Sequence, residues 1–159
     1  MTPFSSRHPA TVAALGETAL LVRLRRWLGD TSPPAPFGLG DDCAVLPPAR
    51  GPQLVTTDPV IYGRHFDDRL SPRAAGAKLL KRNLSDIAAM GGRPQWAVVA
   101  LALAPDTRVD WVRGFYLGLA ATARRRGSAS LSNRAALCNT TEREISLRMN
   151  RSTVLCWMA

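Results

Sequence analysis

The run QWAVVALALAP, residues 95–105, carries no charge and ends after a length that suits one buried strand and not a long helix. The pattern on either side of it is helical. Upstream, Ser71 followed by Pro72 forms a helix start, and the helical spacing continues to Gly91 and Gly92. Downstream, DTRVDWVRGFYLGLAATARRRG puts Val109, Val112, Tyr116 and Leu119 on one face, with Asp106 as its cap and Gly127 as its stop. A buried strand between two amphipathic helices requires a sheet for the strand and a surface of that sheet for the helices. ETALLVRLRRWLGD adds an earlier helix through Leu20, Leu21, Leu24, Trp27 and Leu28, closed by Gly29, and the proline-rich TSPPAPFGLGDD must then be a loop. CAVL and QLVTTDPV read as short strands, the second ended by Pro59, and IYGRHFDDRLSP as a polar excursion with a glycine hinge. EISLRMN alternates, and STVLCW reads as a last strand. The sum is an α/β (α+β) domain with helices packed on a mixed sheet.

At 159 residues the chain is the size of one domain. It has no apolar run long enough to span a membrane, and its first residues lack the apolar core of a signal peptide. Cys43, Cys138 and Cys156 are odd in number and form no C-x-x-C pair, which suits a reduced cytoplasm and argues against a disulfide framework or zinc site. The net charge of +9 suggests nucleic acid until its distribution is considered. Residues 124–159 hold seven Arg against Glu142 and Glu144, so the basicity is largely a property of the tail. No nucleic-acid motif or interleaved aromatic platform accompanies it, and nucleic acid is not the expected partner. Before the tail, nine of ten acidic residues are Asp, whose short side chain suits caps, loops and hard-cation coordination.

Those Asp residues gather at element ends. Asp41 and Asp42 close the loop FGLGDD, Asp58 follows Thr56 and Thr57, and Asp86 lies one turn from Asn83 on a helix that is otherwise apolar. Carboxylates from separate segments with threonine oxygens beside them can bind Mg²⁺, which keeps waters and phosphate oxygens as its other ligands. Each piece alone has a plainer reading: a solvated turn, an Asx-turn at a strand end, a surface Asp, and for His65 an ordinary packing histidine. No P-loop and no protein-kinase motif set is present.

In their order and spacing, FGLGDDCAVL, LVTTDPVIYGRHF, AKLLKRNLSDIAAMGGRP and FYLGLA resemble the amino-terminal half of the thiamine-monophosphate kinase family, within the aminoimidazole-ribonucleotide-synthetase-like ATP-binding superfamily. The resemblance implies a mixed sheet with helices on one face, and Mg²⁺-dependent phosphorylation of thiamine monophosphate by ATP to thiamine diphosphate. It also implies a homodimer whose amino-terminal domains pair sheet to sheet. By motif, Asp42, Thr56, Thr57, Asp58 and Asp86 become metal-binding residues, Asp86 bridging several ions with Asn83 as its polar support. His65 becomes a substrate contact. Catalysis then rests on positioning and charge neutralisation, with no covalent intermediate.

The resemblance fails after TARRRG. Ser132, Asn133, Arg134 and Ala135 stand where the family has G-G-D-T, so a guanidinium replaces a metal-binding carboxylate. The family's carboxyl-terminal domain has no counterpart in these residues. The chain accordingly divides into a kinase-like domain at 1–127 and an Arg-rich tail at 128–159. The tail is either a divergent version of the family's strands or out-of-frame sequence joined near Gly127, and its abrupt Arg enrichment points to the second. The chain is expected to be inactive alone; the alternative is a non-catalytic dimerising half-protein of the same fold.

Overall fold

The computed structural model describes residues 1–38, 43–49, 51–125, 130–133 and 152–158. Helix α1 (Val12–Leu15) is a single turn, capped by the Thr11 hydroxyl, which accepts from the Ala14 N–H. Helix α2 (Glu17–Leu28) buries Leu20, Leu24 and Leu28, the four-residue spacing that keeps one stripe facing inward, and it stops at Gly29. Strand β1 (Thr56–Ile61) leads through the turn at Gly63 into helix α3 (Pro72–Ala89). The Ser71 hydroxyl accepts from the Ala74 N–H at the start of α3, and Gly91, with φ of 70°, turns the chain out of its end. Strand β2 (Trp96–Leu103) and helix α4 (Val109–Arg125) follow, then β3 (Ser130–Asn133) and β4 (Ser152–Met158).

The four strands form one mixed sheet in the order β1-β4-β2-β3. β4 runs antiparallel to both β1 and β2, and β3 runs parallel to β2. The backbone on both sides of residue 127 therefore shares a sheet. Along β2, Ala97, Val99 and Leu101 are buried while Trp96, Val98, Ala100 and Ala102 are half-buried, so the helices cover one face. On that face lies the core of Leu79, Leu80, Phe115, Tyr116 and Leu119. α3 and α4 approach each other backbone to backbone: a Cβ on Gly76 would lie 2.0 Å from the Phe115 carbonyl oxygen, and one on Gly118 would lie 2.0 Å from that of Arg73. No helix among the described residues is long and apolar enough to cross a membrane.

Several sequence expectations need correction. CAVL is not a strand: Val45 and Leu46 stay exposed, and Pro47 and Pro48 remove two donors that a ladder there would need. Pro59 does not end β1, because β1 is an edge strand, where a residue without an N–H is accommodated. Asp106 is not at the helix start. The N-terminal segment pairs with the turn before α4, through bridges of Phe4 with Thr107 and Thr11 with Arg108, and delays the helix to Val109. Strand β3 at Ser130–Asn133 had no signal in the sequence, while STVLCW falls within β4. Gly127 and EISLRMN lie outside the described residues.

Candidate functional site

α3 lies across β1, and the side chains that join them sit in the middle of the candidate site. Alternation along β1 puts Thr56, Asp58 and the buried Val60 on the face that meets α3, and turns Thr57 to the other face. On α3, Leu79, Asn83 and Ile87 form a buried stripe at four-residue spacing. Asn83 is thus a carboxamide in a position built for an apolar side chain, and it is fully buried.

Its bonds explain the exception. The Asn83 Oδ1 accepts from the Asp58 N–H at 2.9 Å, and Nδ2 donates to the Asp58 carbonyl at 3.2 Å and to the Leu79 carbonyl at 3.0 Å. One amide satisfies both backbone groups of Asp58, as a neighbouring strand would, and so holds this residue of an edge strand in place. Asn83 therefore supports Asp58 and not, as the sequence suggested, Asp86. Asn83→Ala should leave these groups without partners and lower stability by about 2–3 kcal/mol, measurable by urea denaturation.

Asp86 is exposed, so its carboxylate carries no burial cost, and its Oδ2 accepts from the Thr56 hydroxyl at 2.9 Å. Two residues along β1, the Asp58 carboxylate is held by Arg82, whose Nε donates to Oδ2 at 3.0 Å while Nη2 forms an ion pair with the same oxygen at 3.0 Å. Thr56, Asp58 and Asp86 are thereby gathered at one end of α3. They offer only hard oxygen donors, the chemistry Mg²⁺ selects. Asp41 and Asp42 lie outside the described residues, and no group of three or more His, Cys, Asp or Glu among the described residues could by itself enclose a metal. A cleft of about 500 Å³ opens next to this end of the helix, with Leu54, Ile87, Arg93 and Trp96 in its walls.

His65 belongs to the same neighbourhood through the turn after β1. Its Nδ1 accepts from the Ile61 N–H at 3.0 Å, its own N–H donates to the Ile61 carbonyl at 2.8 Å, and its carbonyl accepts from Lys78 Nζ. Nδ1 must be unprotonated to make the first bond. Desolvation, then the charges of Arg82, Arg64 and Lys78, pull the imidazole pKa below its ordinary 6.5, with Asp58 opposing them. Because the folded state disfavours the proton, the stability that His65 contributes is complete above the ordinary value of 6.5 and is lost as pH falls through the lowered folded value. Melting temperature should accordingly drop with acidification in this window, and His65→Gln should flatten that part of the profile.

Arg82 was not singled out in the sequence. Its signal was there: in KRNLSD it lies four residues before Asp86, and so on the same helix face.

Comparison with known proteins gives concordant findings. The family described as AIR synthase related protein, N-terminal domain, matches residues 40–146. The thiamine-monophosphate kinase of Synechococcus elongatus is 45% identical over 82 residues, which are 50% of this chain and 25% of that protein. The solved structure of thiamine-monophosphate kinase from Stenotrophomonas maltophilia K279a superposes with a TM-score of 0.59 at 30% identity, over 87% of this chain and 40% of that one. AaThiL complexed with AMPPCP and TMP superposes with a TM-score of 0.53 at 25% identity, over 91% of this chain and 41% of that one. The chain spans between 24% and 34% of the length of such curated relatives.

Proposed function

Since this chain belongs to the AIR synthase related protein N-terminal domain family, we propose that it forms the ATP- and magnesium-binding part of a thiamine-monophosphate kinase, which transfers the γ-phosphoryl group of ATP to thiamine monophosphate. The observation that carries the reading is the Thr56–Asp86 hydrogen bond, which joins the T-T-D strand and the N-L-S-D helix at their oxygen donors. Asp58 and Asp86, with Thr56 and Asp42, would hold Mg²⁺, and the ion when bound neutralises phosphate oxygens as charge shifts between them. Thr57 faces away from this group and has no part in the reading. Asn83 fixes the Asp58 backbone so that the carboxylate enters the site at a set angle, and His65 contacts the acceptor substrate. The kinase-like unit is residues 1–127, although the family match runs on to residue 146.

The same reading includes a cytoplasmic homodimer formed through the sheet face opposite the helices. Half-buried Trp96, Val98 and Ala100 on that face support it. A non-catalytic dimerising module is the alternative, and the Arg82 guanidinium already seated on Asp58 favours it. Calorimetric titration of the 159-residue protein with AMPPCP, with and without Mg²⁺, separates the two. Binding that depends on Mg²⁺ is expected, and its absence would overturn the kinase reading in favour of the module.

A further inference from the structure

Arg82 and Asp86 lie four residues apart on α3, so one helix face presents both a carboxylate suited to a divalent cation and a fixed positive charge beside it. The guanidinium does not bridge the two oxygens of Asp58 in the usual parallel fork. Nε donates to Oδ2 at 3.0 Å, and Nη2 stands 3.0 Å from the same oxygen as an ion-pair contact. A carboxylate oxygen has two lone pairs; the Nε–H occupies one of them, and the second guanidinium nitrogen crowds the same oxygen. An incoming cation that used Oδ2 would meet an oxygen already engaged by the guanidinium and a unit positive charge beside it.

The pair is neither locked in the core nor lost in solvent. The Arg82 and Asp58 side chains are 35% and 31% exposed, so the attraction is partly screened and the arginine has a path outward. The Asp58 backbone cannot follow it, because Asn83 grips its N–H and its carbonyl. Of the two partners, Arg82, with the longer side chain and no clamp on its residue, is the one that withdraws. The neighbouring charges act in the same direction: Arg64 and Lys78 are close enough, with Arg82, to depress the His65 pKa, so the arginine is released from a site already rich in positive charge.

We propose that Arg82 is a resident counter-cation of the candidate metal site: it neutralises Asp58 in the metal-free protein and must vacate Oδ2 for a divalent cation to bind, so that it sets the site's metal affinity. The inference rests on the metal reading given above and goes beyond it by naming a competitor within the chain. It predicts an unusual sign. A purely structural ion pair, once cut, leaves the site looser and metal binding weaker or unchanged. A competitor, once removed, leaves it stronger.

The test is titration of the 159-residue protein with Mg²⁺ alone, and with Mn²⁺ followed by electron paramagnetic resonance, comparing wild type with Arg82→Gln. The expected result is metal affinity about tenfold higher in the variant, since a full charge beside the ion is removed. Wild-type binding with equal or weaker binding by a variant that circular dichroism shows to be folded would overturn the proposal and leave the metal site standing. Absence of binding by both proteins would overturn the metal reading and the proposal together. If Arg82→Gln does not fold, the wild type decides: its Arg82 Nε–H resonance should shift as Mg²⁺ saturates the site, and an unmoved resonance at saturation overturns the proposal.

Discussion

Asp86→Asn is expected to weaken Mg²⁺-dependent binding of AMPPCP by about a hundredfold, the upper range for damage to a metal's supporting groups. An amide keeps the shape of the side chain and one carbonyl oxygen, so the bond from the Thr56 hydroxyl survives. What it loses is the negative charge, and charge is what a hard divalent cation selects. Fold and function should part company at this residue. Asp86 is exposed and stands in the last turn of α3, where its carbonyl accepts from the Met90 N–H and where the helix dipole is negative. A carboxylate is poorly placed there for stability. The variant should therefore melt no lower than the wild type, and higher by the few tenths of a kcal/mol to about 1 kcal/mol that a helix-end charge is worth. Calorimetry of binding and of melting on the same sample checks both halves; undiminished binding would reduce Asp86 to a surface residue.

The second large effect is on stability. Gly118→Ala should cost about 3 kcal/mol or prevent folding, the upper end of what overpacking a tight contact costs. The added methyl would stand 2.0 Å from the Arg73 carbonyl oxygen and 2.7 Å from the Arg73 Cα. Both obstacles are backbone, so no rotamer change relieves them. Helix α3 would have to move away from α4 as a body, carrying Asn83 and Asp86 with it and pulling at the clamp on Asp58. A urea midpoint within error of the wild type would contradict the close approach of the two helices.

The sequence displayed the helices through their ends and their stripes: Ser71 and Pro72, Gly91, and the Val112, Tyr116, Leu119 face all appear where the pattern placed them. The long apolar strand was equally plain, because a burial demand on eight consecutive residues admits few alternatives. CAVL misled because apolar composition says that a strand can form, not that a partner edge is there to receive it. In the site, the motif residues were legible but their partnerships were not. Asn83 and Asp86 share a helix face, and proximity along the helix suggested that they act on one another; the partner of each proved to be on β1, at Asp58 and Thr56. Arg82 escaped notice because an arginine on a helix is ordinarily a solvated charge. Only the crossing of α3 over β1 gives it a carboxylate to hold.

The position of β4 in the sheet has a consequence for how the protein is made. β1 and β2 run parallel to each other but do not touch, because β4 lies between them, and β4 is supplied by residues 152–158. During synthesis, α3 and α4 can form and dock soon after they emerge, since their contacts are close along the chain. The gap between β1 and β2 must wait. It is two strand spacings wide, roughly 10 Å, and both of its rims present unpaired N–H and C=O groups until the late segment arrives. A nascent chain stalled before that point would hold an open slot shaped for any extended segment, and another copy's strand would fit it as well as its own. The order of translation thus makes the middle of this sheet the last part to close and the part most exposed to strand exchange.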